Sequence, residues 1–96
     1  MAKGYWIASV DVTDPDNYAK YASAAPDVIA AHGGVFLARA GRFQQMEGDG
    51  RSRNVVTEFP SFDDAVACWN SDGYQAARKH RLDAGMASIV IVEGVD

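Results

Sequence analysis

Three stretches of this sequence are apolar at odd and even positions alike, and that pattern decides most of what the chain can fold into. In residues 5–12, Trp6, Ala8, Val10 and Val12 fall on one side of an extended chain, and Tyr5, Ile7, Ser9 and Asp11 on the other. In residues 54–59, Val55, Thr57 and Phe59 oppose Asn54, Val56 and Glu58, and in residues 87–93 Val90 and Val92 oppose Ile89 and Ile91. Successive side chains of a strand point to opposite faces, so a sheet with water on one side alternates apolar with polar. These strands do not alternate. Both faces of the sheet they form must therefore be covered.

The segments between them read as helices. Asp14 is a good N-cap, Pro15 suits the first helical position, and Asp16 puts negative charge in the first turn. Tyr18, Tyr21, Ala25, Val28 or Ile29, and His32 then recur at helical spacing. Pro26 lies inside this run and predicts a kink or break near residues 22–25, because proline removes a backbone donor. Gly33-Gly34 ends the helix, with Gly33 the expected left-handed cap. A second strand over residues 35–40 and a loop over 41–52 containing Gly48-Asp49-Gly50 follow, then the strand over 54–59, stopped by Pro60. Ser61 caps a helix through Ala65, Val66, Cys68 and Trp69, and Ser71-Asp72-Gly73 interrupts it and recaps a further helix from Tyr74 to about Arg81.

The order is β-α-β-β-α-β over one domain, residues 1–96: an α+β, ferredoxin-like four-stranded antiparallel sheet with helices on one face. Helices can cover only one face of it. A large exposed apolar patch is unusual on a monomer, and a second copy related by a two-fold axis would shield it, so a homodimer is expected. The other outcome is a monomer with a partly apolar open sheet.

The formal charge is −4, which argues against a nucleic-acid partner. The one basic cluster, Arg78-Lys79-His80-Arg81, is a solvated helix end or an anion site. One cysteine, Cys68, rules out an intrachain disulfide, fits a reducing compartment, and reads as a small core residue. No signal peptide and no membrane span is expected, which leaves the cytoplasm as the expected location. His32 and His80 lie far apart and no metal-ligand spacing occurs, so neither a metal nor a cofactor is expected.

Charges inside strands point to a site, because a charge on a buried face is costly unless paired. Arg39 shares a strand face with Val35 and Leu37, Glu58 with Val56, and the two could pair across the hairpin as a structural ion pair or as part of a site. His32, at the end of the helical stripe, is either a capping histidine or a general base under the sheet. Trp69 and Tyr74 flank the helix break and could wall a pocket, and Arg81 could hold an anion or the helix terminus. Arg39, Glu58, Trp69, Tyr74 and Arg81 are thus the candidate ligand-binding residues, and Arg39, Glu58 and His32 the catalytic candidates.

Gly4-Tyr5-Trp6-Ile7, Val10-Asp11-Val12-Thr13-Asp14-Pro15, the Tyr18/Tyr21 pair, Gly33-Gly34, the Glu47-Gly48 turn, Val56-Thr57-Glu58-Phe59-Pro60-Ser61, Ser71 with Tyr74-Gln75-Ala76-Ala77, Arg81 and Ile91-Val92-Glu93-Gly94 together resemble the domain-of-unknown-function 1330 family over nearly the whole chain. Where that family often reads Arg-Gly-Gly after the second strand, this chain has Arg39-Ala40-Gly41. The resemblance implies a dimeric α/β barrel and no established activity. The wider superfamily includes cofactor-free monooxygenases, haem-degrading and haem-peroxidase proteins, muconolactone isomerases and stress-responsive proteins, and no residue here matches a haem-ligating motif well. The functional expectation is a homodimer binding a small acidic or carbonyl-containing molecule. The alternatives are a cofactor-free enzyme, monooxygenase- or isomerase-like, and a non-catalytic stress or regulatory dimer.

Overall fold

A computed structural model describes all 96 residues. The elements run β1 (Gly4–Val12), α1 (Pro15–Ala31), β2 (Val35–Arg39), β3 (Arg53–Phe59), α2 (Phe62–Asn70), α3 (Asp72–Leu82) and β4 (Gly85–Glu93). The sheet order is β2-β3-β1-β4, antiparallel throughout, which is the ferredoxin-like arrangement. β4 starts at Gly85, two residues before the sequence suggests, because Asp11 and Val12 extend the β1 ladder to Met86 and Gly85.

Local chemistry explains most element ends. Asp14 caps α1, its carboxylate accepting from the Asn17 backbone N–H at 3.2 Å. Gly33 takes φ +81, and the N–H groups of Gly33 and Gly34 close the helix on the carbonyls of Ala30 and Ile29. Ser71 serves two helices at once. Its hydroxyl donates to the Cys68 carbonyl at 2.7 Å at the end of α2, and accepts from the Tyr74 N–H at 3.2 Å at the start of α3.

Two sequence expectations meet a correction here. Of the kink or break expected near residues 22–25, the break is absent: α1 is continuous from Pro15 to Ala31, with Pro26 inside it. Proline leaves the carbonyl four residues back, on Ala22, without its helical donor, and Arg39 supplies one: its Nη2 donates to the Ala22 oxygen at 3.2 Å. The second correction concerns which way Arg39 faces. The β2–β3 register slips between Phe36 and Ala38, placing Arg39 opposite Val55 rather than in line with Val35. Such a bulge adds a residue and turns the following side chains to the other face. Arg39 therefore lies on the helix-covered side of the sheet and Glu58 on the open side, so the expected Arg39–Glu58 pair does not form. Glu58 instead accepts a hydrogen bond from the Tyr5 hydroxyl at 3.1 Å.

The register sorts the two faces. Trp6, Ala8 and Val10 align with Thr57, Val55 and Arg53 on one side and with Ile91, Ile89 and Ala87 on the other, all under the helices. Trp6 anchors this layer. Its indole N–H donates to the Ala65 carbonyl at 2.9 Å, and its ring lies 5.0 Å from that of Phe59 and 4.8 Å from that of Tyr74. The opposite face carries Tyr5, Ile7, Val56, Val90, Val92 and Met86, and no element covers it. The molecule is 17 Å thick along its short axis, enough for one sheet and one layer of helices.

Candidate functional site

α1 packs on α3, and its Ala25 and Ile29 share the core with Trp6 and Phe59 of the strands beneath. Between α1, α3 and the covered face of all four strands lies a cavity of about 40 Å³. Apolar side chains make most of the wall: Trp6, Ala8 and Val10 from β1, Ala22, Ala25 and Ile29 from α1, Phe36 from β2, Val55 from β3 and Ile89 from β4.

The polar part of the lining is of one kind. Three arginines, Arg39, Arg53 and Arg81, and three tyrosines, Tyr18, Tyr21 and Tyr74, face it, joined by Thr57. No Asp, Glu or His lines it. Tyr21 and Tyr74 share a hydrogen bond of 2.8 Å between their hydroxyls. Arg81 donates to the Tyr74 oxygen at 3.4 Å and its guanidinium lies 5.1 Å from the centre of the Tyr21 ring. Arg53 donates to the Tyr18 oxygen at 3.0 Å and stacks over the same ring at 5.1 Å. Arg39 lies over Phe36 at 4.5 Å.

Burial shapes the charges. Tyr21 is pushed well above the ordinary tyrosine range by burial, reinforced by its neighbour Tyr74, so it is a neutral phenol at physiological pH. Arg81 is only 6% exposed, and its Nε has no hydrogen-bond partner. Its pKa is nonetheless raised: burial alone would lower it, and the hydroxyl oxygens of Tyr74 and Tyr21 outweigh that. The guanidinium stays charged, as arginine does in proteins.

Of the residues singled out from sequence, the cavity gathers Arg39, Tyr74 and Arg81. It does not gather Glu58, His32 or Trp69. Glu58 is on the open face. His32 sits at the α1 terminus with its Nδ1 3.0 Å from the Val28 carbonyl. Trp69 packs edge-on against Trp6 at 5.9 Å, under the Arg78 guanidinium, outside the cavity. Sequence reasoning missed Arg53, Tyr18 and Tyr21 as lining residues. Arg53 was legible in principle, because it continues the two-residue period of Val55 and Thr57 one step before the expected strand start.

The family model described as Domain of unknown function (DUF1330) matches residues 3–95. The chain belongs to this family. Solved structures similar to this DUF1330 chain share its fold. A protein of unknown function from Rhodopseudomonas palustris is 18% identical, with 99% of this chain and 84% of that one covered and a TM-score of 0.76. A dimeric ferredoxin-like protein of unknown function from Thermobifida fusca is 18% identical over 98% and 92% of the two chains, with a TM-score of 0.63. A candidate antibiotic biosynthesis monooxygenase from Caulobacter crescentus is 18% identical over 99% and 92%, with a TM-score of 0.60. No functionally curated protein matches the chain. No helix is long and apolar enough to cross a membrane.

Proposed function

We propose that this DUF1330 protein is a homodimeric small-molecule-binding domain whose cavity takes a ligand bearing an acidic or carbonyl group. One observation carries the ligand half: arginines and tyrosine hydroxyls converge on an apolar cavity that contains no carboxylate and no histidine. Such a lining offers donors to an oxygen-rich head group and apolar contact to the rest. With Glu58 and His32 both outside it, the cavity holds no carboxylate or imidazole to abstract a proton, which favours binding over acid–base catalysis.

The dimer half rests on the uncovered face. Ile7 is 44% exposed and its neighbour across the β1–β4 ladder, Val90, 55%. The similar Thermobifida fusca protein is dimeric, and a two-fold copy of this face is the cover that needs no other partner. The single buried thiol, Cys68, suits a reducing compartment, and we place the protein in the cytoplasm.

A thermal-shift screen of small acids and ketones against hydrocarbons of matched size tests the ligand reading. Acids or ketones should raise Tm in proportion to the logarithm of their concentration once it exceeds Kd. Equal shifts from matched hydrocarbons, or no shift from any compound, would overturn it. Arg39→Ala, at the cavity's outer end, should weaken the binding while lowering the melting point only slightly, because the bond it makes to the Ala22 carbonyl is exposed.

A further inference from the structure

Resting on that reading of the cavity, we infer that its ligand presents an ionised carboxylate, seated where the Arg81 guanidinium and one surplus tyrosine hydroxyl meet. A buried charge needs a counter-charge or full hydrogen bonding. Arg81 has neither. It is 6% exposed, Nε is unpartnered, Nη2 makes only a long bond to Tyr74, and no carboxylate shares the cavity. An arginine cannot discard its proton to escape the cost. Tyr21 does not supply the negative charge either, since burial holds it neutral. The other two guanidinium groups of the cavity reach more solvent: Arg39 is exposed and Arg53 half-buried, the one bonded to the Ala22 carbonyl and the other to Tyr18. The missing anion is the ligand's.

The hydroxyl protons give the second contact. Tyr21 and Tyr74 hold two O–H protons and share one hydrogen bond. Whichever of them donates in it, one proton is left over, and the Tyr74 oxygen is already an acceptor for Arg81. The site thus offers one cation and one free O–H donor side by side, which suits two oxygens on one carbon. Size agrees. The cavity volume of about 40 Å³ is room for a small head group rather than a large ligand. Arg39, the one exposed residue of the lining, marks the outer end, along which a short aliphatic tail would leave. A phosphate, with a second charge, would find no second buried guanidinium to match it.

Calorimetric titration of the whole protein with butyrate, butyramide and 2-pentanone at constant ionic strength, with chloride as control, tests this. Butyrate is expected to bind at least tenfold more tightly than either neutral analogue. Its affinity should fall as the pH drops toward the ordinary carboxyl range, about 4. Arg81→Met should abolish butyrate binding while leaving the melting point of the free protein unchanged or higher. Tyr21→Phe and Tyr74→Phe each leave one O–H in the pair, so only the double variant loses the hydroxyl contact, and it should weaken butyrate severalfold beyond either single change. Equal affinity for butyramide or 2-pentanone overturns the carboxylate and leaves the cavity reading standing. An equal response to chloride means an adventitious ion only and overturns it too. If none of the three organic compounds binds, both readings fall.

Discussion

Trp6 and Cys68 sit at the centre of the covered layer and show how much one side chain decides. Trp6 is 4% exposed, touches three other aromatic rings, and its indole N–H satisfies the Ala65 carbonyl. Trp6→Phe removes that hydrogen bond and leaves part of the ring's volume empty, so urea unfolding should show a loss of about 2–4 kcal/mol. Cys68 is fully buried with no base beside it, and burial pushes its thiol up to about 11. The reactive form is the thiolate. At pH 8 the folded protein should therefore resist labelling by a thiol reagent until it is unfolded. The raised value also sets a sign: the folded state holds this proton more tightly than the unfolded chain, in which a cysteine titrates near 8.5. The associated stability is complete below that pH and is lost as the pH climbs toward about 11. A Cys68→Ala variant should show a shallower alkaline decline than the parent in urea unfolding.

Among the elements, what sequence made legible was what neighbours in the chain decide. Asp14, Ser61 and Ser71 cap because their side chains reach backbone N–H groups three residues on, and Gly33 ends α1 because its φ of +81 suits glycine. What it hid depends on distant partners. Pro26 reads as a helix breaker until Arg39, thirteen positions later, caps the carbonyl it frees. Arg39 itself reads as Glu58's partner until the bulge at Leu37 turns it to the other face. Tyr21 and Tyr74 are 53 residues apart, and only the packing of α1 on α3 brings their hydroxyls together. The loop after β2 shows the same dependence. Asp11 of β1 accepts from the Ser52 N–H at 3.0 Å and the Ser52 hydroxyl at 3.2 Å, and pairs with Arg51 at 3.3 Å, tying the loop's root to the open face. The Ser52 backbone N–H, followed by its hydroxyl and Arg51, holds the Asp11 carboxyl below its usual range. A depressed carboxyl stabilises above its unfolded value, about 3.9, and ceases to as pH falls through the lowered one. Asp11→Ala should accordingly speed amide exchange at Arg51 and Ser52 at pH 6 while the centre of the β1–β4 ladder stays protected.

For the whole molecule, the governing fact is that two layers cannot cover a sheet that is apolar on both sides. The slab is 17 Å thick, and Ile7, Val35, Val90 and Val92 remain between 43% and 58% exposed on its bare side. Burying about 400 Å² of such surface at about 25 cal/mol per Å² contributes on the order of 10 kcal/mol before the cost of association. For a domain this small that is comparable to its entire folding stability, of order 5–15 kcal/mol. The proposed homodimer should therefore be inseparable from folding, with a melting point that rises with protein concentration. Ile7, on the inner strand β1, and Val90, on the edge strand β4, are neighbours across the β1–β4 ladder, so a charge at either would have to be desolvated when two sheets meet. Ile7→Lys and Val90→Lys should each shift the protein from dimer to monomer in sedimentation velocity at micromolar concentration and lower its melting point. Neither side chain lines the cavity on the other side of the sheet, so ligand binding at concentrations where the variant is folded should persist. A parent protein that sediments as a monomer at tens of micromolar, with a melting point independent of concentration, would show that the bare face is wetted and that this fold stands without a twin.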